Sequence, residues 1–347
     1  MAQNATQQFV TRPYTHDDEE QVLALLAQTL PRWAQAGGER PALWRWKHLL
    51  NPFGPSQVQV ALDDTGTVIG TLALMPWQLR HAGRVLRAAR AVDLATHPNF
   101  RHKGVATMLS EGAVEAIKAD RPSIVFHTPN RASMGIALKR SRLFVGVISP
   151  SIQLRHVVRL LVRRAFRLRL AAGQNLAGDI LAHALPIRSW LERDGEVERL
   201  LGTDFPRQFR TERTLGYLRW RYADRPLEPY YALTIDDQGE LLGSVIFRVS
   251  SGATTNGIVI QDLLMRNREP HVPAAFRRGL DSLRHADFFA GCVSHDPLER
   301  AVLGHLALSA VPRMSYRLAV RAVDPELAEA AHQISAWSLA MGDLDGF

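Results

Sequence analysis

The 347-residue sequence has little cysteine, since Cys292 is the single one. One thiol excludes an internal disulfide and any cysteine-based metal cluster. No run of eighteen apolar residues occurs, so no transmembrane helix is predicted. The first residues are polar and lack the basic start and apolar core of a signal peptide. We therefore expect a cytoplasmic globular protein without a membrane span or a metal site, long enough for two domains.

Acidic residues are absent between Arg121 and Gly178, whereas basic residues recur throughout that stretch. The net charge is +8 and the isoelectric point about 10.1. Such a positive field attracts phosphorylated cofactors, nucleic acid or anionic membrane surfaces. The densest part, Arg155 to Arg169, is explained equally well as the solvated face of a connector helix. Nucleic-acid binding therefore stays open without being favoured.

The stretch from Ala91 to Ile117 carries the most specific chemical signal. It reads as a strand, a loop with the pattern Arg101-x-x-Gly104-x-Ala106, and an amphipathic helix. This order places unpaired backbone amides at a helix N-terminus, where the helix dipole favours an anion. Gly104 and Ala106 lack a large side chain that would hold a phosphate away from the backbone. The pattern predicts a site for an anion, above all a pyrophosphate.

This succession resembles the acetyl-CoA-binding motif of the GNAT (GCN5-related) N-acetyltransferases. The resemblance extends over residues 10–150, because Asp93 to Pro98 precedes the loop and a second strand, Ser123 to Phe126, follows the helix. It implies an α/β fold with a mixed sheet, and acetyl-CoA as co-substrate without a metal. It further implies transfer of an acetyl group by direct attack of a primary amine. The acceptor is expected to be a small molecule or an amino sugar.

The resemblance also assigns residues to the cofactor. The backbone beside the pantetheine is expected from Leu94, Ala95 and Thr96. The pyrophosphate is expected against a continuous segment made of Arg101, His102, Lys103, Gly104, Val105, Ala106 and Thr107. Asn130 matches a family asparagine near the pantetheine arm, although it could equally cap the next helix.

Asp93 is the leading candidate for removing the proton of the amine. It lies on the strand directly before the cofactor-binding backbone, where partial burial would raise its pKa. The alternative is a structural aspartate tied to a backbone amide or to Arg87 or Arg90. An echo of Asp93 at Asp262 favours this alternative.

Other candidates for proton transfer lie nearby. His97 and His127 compete with Asp93 because histidine titrates near neutral pH. The tyrosine with which many family members protonate the departing thiolate has no counterpart, since no tyrosine occurs between Tyr14 and Tyr217. Leu143-Phe144 likewise stands where Gly-Phe is expected. Proton return then uses water, Ser133, Ser141 or no protein group.

The second half of the sequence repeats the order of the first. Trp46, an acidic hairpin turn and Gly70 recur as Trp220, a similar turn and Gly243. The repetition predicts two tandem GNAT-like lobes. The predicted units are an N-terminal acetyltransferase domain at 10–150, a basic helical linker at 151–200, a degenerate C-terminal domain at 201–325 and a tail or helix at 326–347. The second copy has Glu269, Pro270 and Pro273 in place of the phosphate loop, so cofactor binding is not expected there.

Two other functions stay open. Tandem GNAT lobes also resemble the Fem-type transferases, which take aminoacyl groups from tRNA, and a non-catalytic acyl-CoA-binding protein is the third reading. A homodimer is left open as well. An aromatic cluster before the loop either lines an acceptor pocket or belongs to the core. Its members are Trp33, Trp44, Trp46, Phe53 and Trp77.

Overall fold

A computed structural model gives the fold of the chain for residues 9–118, 120–130, 133–135, 143–157, 173–201, 208–237, 239–252, 255–266, 270–292, 296–303, 309–310 and 315–344. Over these residues the chain is a mixed α/β fold with two mixed sheets flanked by helices. Ser141, Glu269 and most of the basic segment Arg155 to Arg169 lie outside the described residues.

Fifteen strands have bounds in the described residues. They are β1 Val10–Pro13, β2 Gln57–Leu62, β3 Val68–His81, β4 Arg84–Thr96, β5 Ile124–His127, β6 Leu143–Ile148, β7 Pro150–Leu154, β8 Leu185–Pro186, β9 Arg210–Thr211, β10 Tyr231–Asp237, β11 Glu240–Ser251, β12 Asn256–Met265, β13 Phe288–Cys292, β14 Ser309–Ala310 and β15 Tyr316–Ala322.

The α-helices lie between these strands and pack on their faces. They are α1 Glu19–Thr29, α2 Pro31–Gln35, α3 Arg40–Trp44, α4 Val105–Ala116, α5 Gly173–His183, α6 Ile187–Leu191, α7 Asp194–Leu201, α8 Leu215–Leu218, α9 Val272–Ser282, α10 Pro297–Leu303, α11 Ala328–Ala331 and α12 Met341–Leu344. Two short π-helices continue α3 and α8, at Arg45–Leu49 and at Arg219–Ala223.

The first sheet has the strand order β1-β2-β3-β4-β5-β15-β6, and β9 also pairs with β3. β4 and β5 are parallel and are joined through α4, whereas the other described pairs of this sheet are antiparallel. The buried face of α4 carries Val105, Leu109 and Ala113, and it packs on β2 and β3. A Cβ at Gly70 would come within 2.7 Å of the Val105 side chain, so glycine allows this close packing.

The second sheet repeats this plan with the order β14-β7-β13-β12-β11-β10-β8. β12 and β13 form its parallel pair, and α9 connects them as α4 connects β4 and β5. Each half of the chain thus contains a parallel pair with a crossover helix and an antiparallel hairpin beside it.

Strand pairing crosses the predicted domain boundaries in two places. β15, from the end of the second half, lies between β5 and β6 of the first sheet. β7, which directly follows β6, pairs with β13 and β14 of the second sheet. The segment expected as a terminal tail is likewise part of the core, because Trp337, Leu339 and Met341 are buried there. Their apolar side chains gain more from burial than from a solvated position, and the segment contains the short helices α11 and α12.

Two tryptophans join the halves at the centre of the molecule. Trp46 and Trp220 occupy the second position of the two π-helices, and their rings stack with centroids 4.9 Å apart and planes 15° apart. The Trp46 Nε1 donates to the Trp220 carbonyl at 2.6 Å, and the Trp220 Nε1 donates to the Trp46 carbonyl at 2.7 Å. The two repeated tryptophans thus pack against each other in the core.

The other aromatic residues before the loop also belong to the core. Trp33, Trp44 and Trp77 are almost completely buried, and Phe53 packs against the same cluster. The cluster therefore belongs to the core, while Phe53 and Trp77 also line a cavity of about 340 Å³. None of the helices in the described ranges combines the length and the apolarity that crossing a bilayer needs.

The reciprocal tryptophan bonds predict a stability effect. Trp220→Phe removes the donor to the buried Trp46 carbonyl, so we expect a loss of about 1–3 kcal/mol in the free energy of unfolding, measured by urea denaturation. Trp46→Phe is the matched variant and should cost a similar amount. Because the two rings touch, the double variant should cost less than the sum. Unfolding midpoints equal to the wild type would contradict this account.

Candidate active site

The parallel strands β4 and β5 separate after a short ladder. Ala88 to Arg90 pair with Ile124 to Phe126, and β5 ends at the next residue while β4 continues to Thr96. On its other edge β4 stays paired with β3 to its last residue. Among the described residues, the edge of Ala91 to Thr96 that faces β5 therefore has no strand partner. Such an edge can accept an extended ligand through backbone hydrogen bonds.

A turn and a helix N-terminus follow this open edge. Gly104 caps α4 with φ +91°, and His102 has φ +64°. A Cβ at Gly104 would have no atom within 4 Å, so the turn faces open space. The Thr107 and Met108 amides both donate to the Gly104 carbonyl, at 3.0 and 3.1 Å, so the Val105 and Ala106 amides precede the first hydrogen bonds of the helix. Residues 101–107 therefore form a turn and the start of a helix, and anion binding there stays a prediction.

The turn is held against the end of β4. The Arg101 Nε donates to the Thr96 carbonyl at 3.4 Å, and the His97 amide donates to the Ile69 carbonyl at 2.8 Å. The Lys103 Nζ lies 5.1 Å from the centroid of the Phe100 ring, and its side chain is exposed. The structure therefore brings Leu94, Ala95 and Thr96 next to the segment that begins at Arg101.

Asn130 makes the contacts of a helix cap, which is the alternative to a role in cofactor binding. Its Oδ1 accepts from the Ser133 amide at 2.9 Å and lies 3.1 Å from the Ser133 hydroxyl oxygen. Contact with a pantetheine arm stays a prediction for Asn130.

Asp93 lies in a β-bulge of β4. Thr71 of β3 faces Ala95, whereas Ala73 faces Val92, so the single residue Leu72 faces both Asp93 and Leu94. A bulge of this kind takes a backbone amide out of the ladder and increases the local twist. Asp93 has φ +52°, a left-handed conformation that aspartate tolerates better than most residues.

Three side chains hold the Asp93 carboxylate. The Trp33 Nε1 donates to Oδ1 at 2.9 Å, and Oδ2 lies 2.7 Å from the Lys47 Nζ and 2.9 Å from the His48 Nε2. Lys47 and His48 belong to the first π-helix, directly after Trp46. The Asp93 side chain is only 5% exposed.

These contacts correct the expectation for Asp93. Burial alone would raise the pKa of its carboxyl group, but the Lys47 charge and the His48 hydrogen bond outweigh burial and hold that pKa far below its usual range. Its ion pair is with Lys47, in place of the Arg87 or Arg90 that the sequence suggests as structural partners. The carboxylate is therefore charged and engaged on both oxygens, which is not the raised-pKa base that the sequence suggests.

Other predicted residues lie around the gap between the strands. His127 is buried at the end of β5, opposite Ala319 of β15. The His97 Nδ1 accepts from the Asn99 amide at 3.4 Å. Arg90 lies at the last β4–β5 pair, where its guanidinium contacts the Trp77 and Phe126 rings. It also donates to the Asp343 carbonyl, and burial lowers its pKa to about 10.

The second sheet contains a matching bulge. The β11–β12 register shifts at Gln261, beside Asp262. The Asp262 carboxylate accepts from Arg213 at 3.0 Å and from the Tyr222 hydroxyl at 3.2 Å. Tyr222 stands two residues after Trp220, as His48 stands two residues after Trp46. The repeat of Asp93 at Asp262 is visible in the sequence. The contacts of Asp93 with Trp33, Lys47 and His48 are not predicted from it.

The cleft of the second sheet is filled. Ala340 and Met341 line a remaining space of about 10 Å³ beside Gln261 and Cys292, and the Cys292 and Met341 sulfur atoms are 3.2 Å apart. The crossover helix α9 has Pro273 in its first turn, where proline supplies no amide donor. β12 likewise continues beyond its last pair with β13, at Val259, but α12 packs on β12 in this sheet, and a Cβ at Gly342 would lie 3.0 Å from the Gln261 carbonyl oxygen.

Comparison with known proteins finds a family model that matches the N-terminal part of the chain. Residues 10–139 match the model of the acetyltransferase (GNAT) domain. No curated protein matches the sequence.

Solved structures share the fold across both halves. A probable N-acyltransferase from Enterococcus faecalis V583 aligns with TM-score 0.65 and 12% identity over 91% of this chain and 73% of its own. A GCN5-related N-acetyltransferase from Anabaena variabilis aligns with a TM-score of 0.63 and 16% identity, over 93% of this chain and 75% of its own. N-myristoyltransferase from Saccharomyces cerevisiae, solved with bound myristoyl-CoA, aligns with a TM-score of 0.56 and 12% identity, over 90% of this chain and 79% of its own.

The depressed pKa of Asp93 predicts a pH-dependent stability effect. An ion pair that lowers the folded pKa contributes its full stability above the unfolded pKa of about 3.9, and this contribution is lost as the pH falls toward the folded pKa. Asp93→Asn should therefore cost roughly 3–5 kcal/mol at pH 7, because it leaves a buried charge on Lys47.

Below about pH 4 the stability difference between Asp93→Asn and the wild type should shrink. Urea denaturation at pH 7, 5 and 3.5 measures this difference. The exposed Asp63, in the β2–β3 turn, provides a control position, because Asp63→Asn should change stability much less at each pH. An Asp93→Asn cost that is the same at every pH would contradict the ion-pair assignment.

Proposed function

We propose that this chain, whose residues 10–139 match the model of the acetyltransferase (GNAT) domain, transfers an acetyl group from acetyl-CoA to a primary amine. The observation that carries the proposal is the sequence of open strand edge, glycine turn and helix N-terminus at Ala91 to Thr107. We propose a small molecule or an amino sugar as the acceptor.

The residues of this region fit the cofactor. The open edge at Leu94, Ala95 and Thr96 suits the amide groups of a pantetheine arm, which can pair with a strand as a peptide does. The amides at the start of α4 and the exposed Lys103 suit a pyrophosphate. Space at the Gly104 Cβ position leaves room for the phosphate groups to reach the backbone.

An acyl-CoA donor is further supported by a structural neighbour. The yeast N-myristoyltransferase, which shares the fold, was solved with bound myristoyl-CoA. The observations in the first sheet therefore favour a CoA thioester as donor over an aminoacyl-tRNA.

The proposed reaction needs three contributions from the protein. The amine nitrogen attacks the thioester carbon, a C–N bond forms, the C–S bond breaks and CoA leaves as the thiolate. The chain must hold both reactants in line, supply a backbone N–H to the oxygen that gains charge, and let the amine lose a proton. Residues 94–96 and 101–107 serve the first task by holding the donor.

A charged residue in the turn tests the proposal. In Gly104→Glu the introduced carboxylate would lie about 6 Å from a phosphate of the cofactor. At an effective dielectric of about 20 the repulsion between the two charges is roughly 3 kcal/mol, so acetyl-CoA binding should weaken about 100-fold. Isothermal titration calorimetry with acetyl-CoA measures the change. Gly66→Glu is the matched control, because Gly66 also has positive φ with no atom near its Cβ but lies in the β2–β3 turn. It should bind acetyl-CoA as the wild type does.

The alternative functions give different results in the same experiments. Equal acetyl-CoA affinity in the wild type and Gly104→Glu would overturn the assigned site. Acetyl-CoA binding without amine-dependent release of free thiol over a broad amine panel would favour the non-catalytic acyl-CoA-binding protein. Salt-dependent tRNA binding in the absence of acetyl-CoA binding would favour the Fem-type transferase.

A further inference from the structure

The β4 bulge lies where an acyl group would end. It occupies Asp93 and Leu94, within the open edge of β4 and between the last β4–β5 pair at Arg90 and the turn at Arg101. A donor whose phosphates lie at the turn and whose arm follows Thr96 and Ala95 brings its thioester to this bulge. Because a bulge leaves one residue out of the ladder, it can supply a backbone amide that β3 does not use.

The bulge has a strained conformation that needs support. Asp93 has positive φ, and a residue other than glycine keeps such a strained conformation only where its surroundings determine it. At Asp93 those surroundings are Trp33 from α2 and the pair Lys47 and His48 from the first π-helix. Trp33, Lys47 and His48 hold the carboxylate in the core through hydrogen bonds and an ion pair. Because the side chain is held, the backbone at Asp93 is held as well.

The supporting groups are themselves fixed. The His48 Nδ1 is 2.9 Å from the Ser56 hydroxyl, and the His48 ring contacts Trp44 at 4.2 Å between centroids. The Lys47 Nζ lies 5.8 Å from the centre of the Trp33 ring. Lys47 and His48 are almost completely buried, so water cannot replace either contact easily. The carboxylate is thus held by groups that cannot move independently of the π-helix.

We infer that Asp93 is a positioning residue: its carboxylate, held by Trp33, Lys47 and His48, fixes the β4 bulge so that a backbone amide there faces the thioester carbonyl. This inference rests on the proposed function. It assigns Asp93 no proton transfer, since both of its oxygens are engaged by donors. The stabilising group for the developing charge is the amide, and Asp93 acts on it through the backbone.

The second sheet offers an internal control. Asp262 is held beside its own bulge by Arg213 and Tyr222, yet the adjacent cleft is filled by Ala340 and Met341. Asp262→Asn should therefore disturb a buried ion pair of the same kind without touching the thioester.

The test uses [1-13C]acetyl-CoA bound to the full-length protein without an acceptor. A hydrogen bond from the bulge amide polarises the carbonyl, so the 13C resonance should move downfield on binding to the wild type. Asp93→Asn should lose at least about half of that shift, while calorimetry shows nearly unchanged affinity for CoA, because the turn at Gly104 is intact. Asp262→Asn should keep the full shift even though it lowers thermal stability.

Kinetics give a second measure. With any amine that supports turnover, Asp93→Asn should lower kcat roughly 10- to 100-fold with little change in the KM for acetyl-CoA. The pH profile of kcat/KM should keep its wild-type shape. A profile that loses its low-pH limb, where a base becomes protonated, in Asp93→Asn would overturn the inference and make Asp93 the general base.

A milder variant covers the case in which Asp93→Asn does not fold. Trp33→Phe removes the donor to Oδ1 and leaves the Lys47 ion pair, so it should reduce the carbonyl shift in part. An unchanged shift in whichever of these variants folds overturns the inference while leaving the proposed function intact. A wild type that does not bind acetyl-CoA overturns the proposed function, and the inference with it.

Discussion

The reciprocal hydrogen bonds between Trp46 and Trp220 fix the two π-helices against each other, and the rest of both halves is arranged around this contact. Each indole donates to the backbone of the other's π-helix, so neither helix can shift without breaking a buried hydrogen bond. The residues that follow each tryptophan reach the neighbouring bulge, His48 to Asp93 and Tyr222 to Asp262. The geometry of both bulges is therefore set from one point at the centre of the molecule.

The two sheets depend on each other in a second way, through exchanged strands. β15 completes the first sheet beside β5, and β7 pairs with β13 in the second. Arg90, at the edge of the open β4 segment, donates to the carbonyl of Asp343 near the other end of the chain. The second half thus supports the candidate site through backbone pairing and buried hydrogen bonds, which gives it a structural role that requires no cofactor of its own.

Local features of the site could be predicted from the sequence, and long-range features could not. The hairpin turn before Gly66, the strand to Thr96 and the glycine at the start of α4 follow from residue types at short spacing. The ion pair of Asp93 with Lys47 joins residues far apart in the first lobe, and no periodicity reports such a contact. The placement of β15 beside β5 depends on which strand edge is open in three dimensions, and a single sequence does not specify this.

Two features of the candidate site can be told apart by comparing the two sheets. One is the carboxylate that holds a strand bulge, which we call the bulge anchor, and the other is the turn at Gly104. A carboxylate buried beside a bulge occurs in both sheets, with Lys47 and His48 in one and Arg213 and Tyr222 in the other. The anchor is therefore a property of the shared architecture, and its charge by itself indicates no catalysis. The first sheet has the open edge and the Gly104 turn, whereas in the second sheet a proline lies in the first turn of the crossover helix and α12 packs on β12. An anchor can thus influence a reaction only where the edge beside it is open to a ligand, which singles out Asp93 over Asp262.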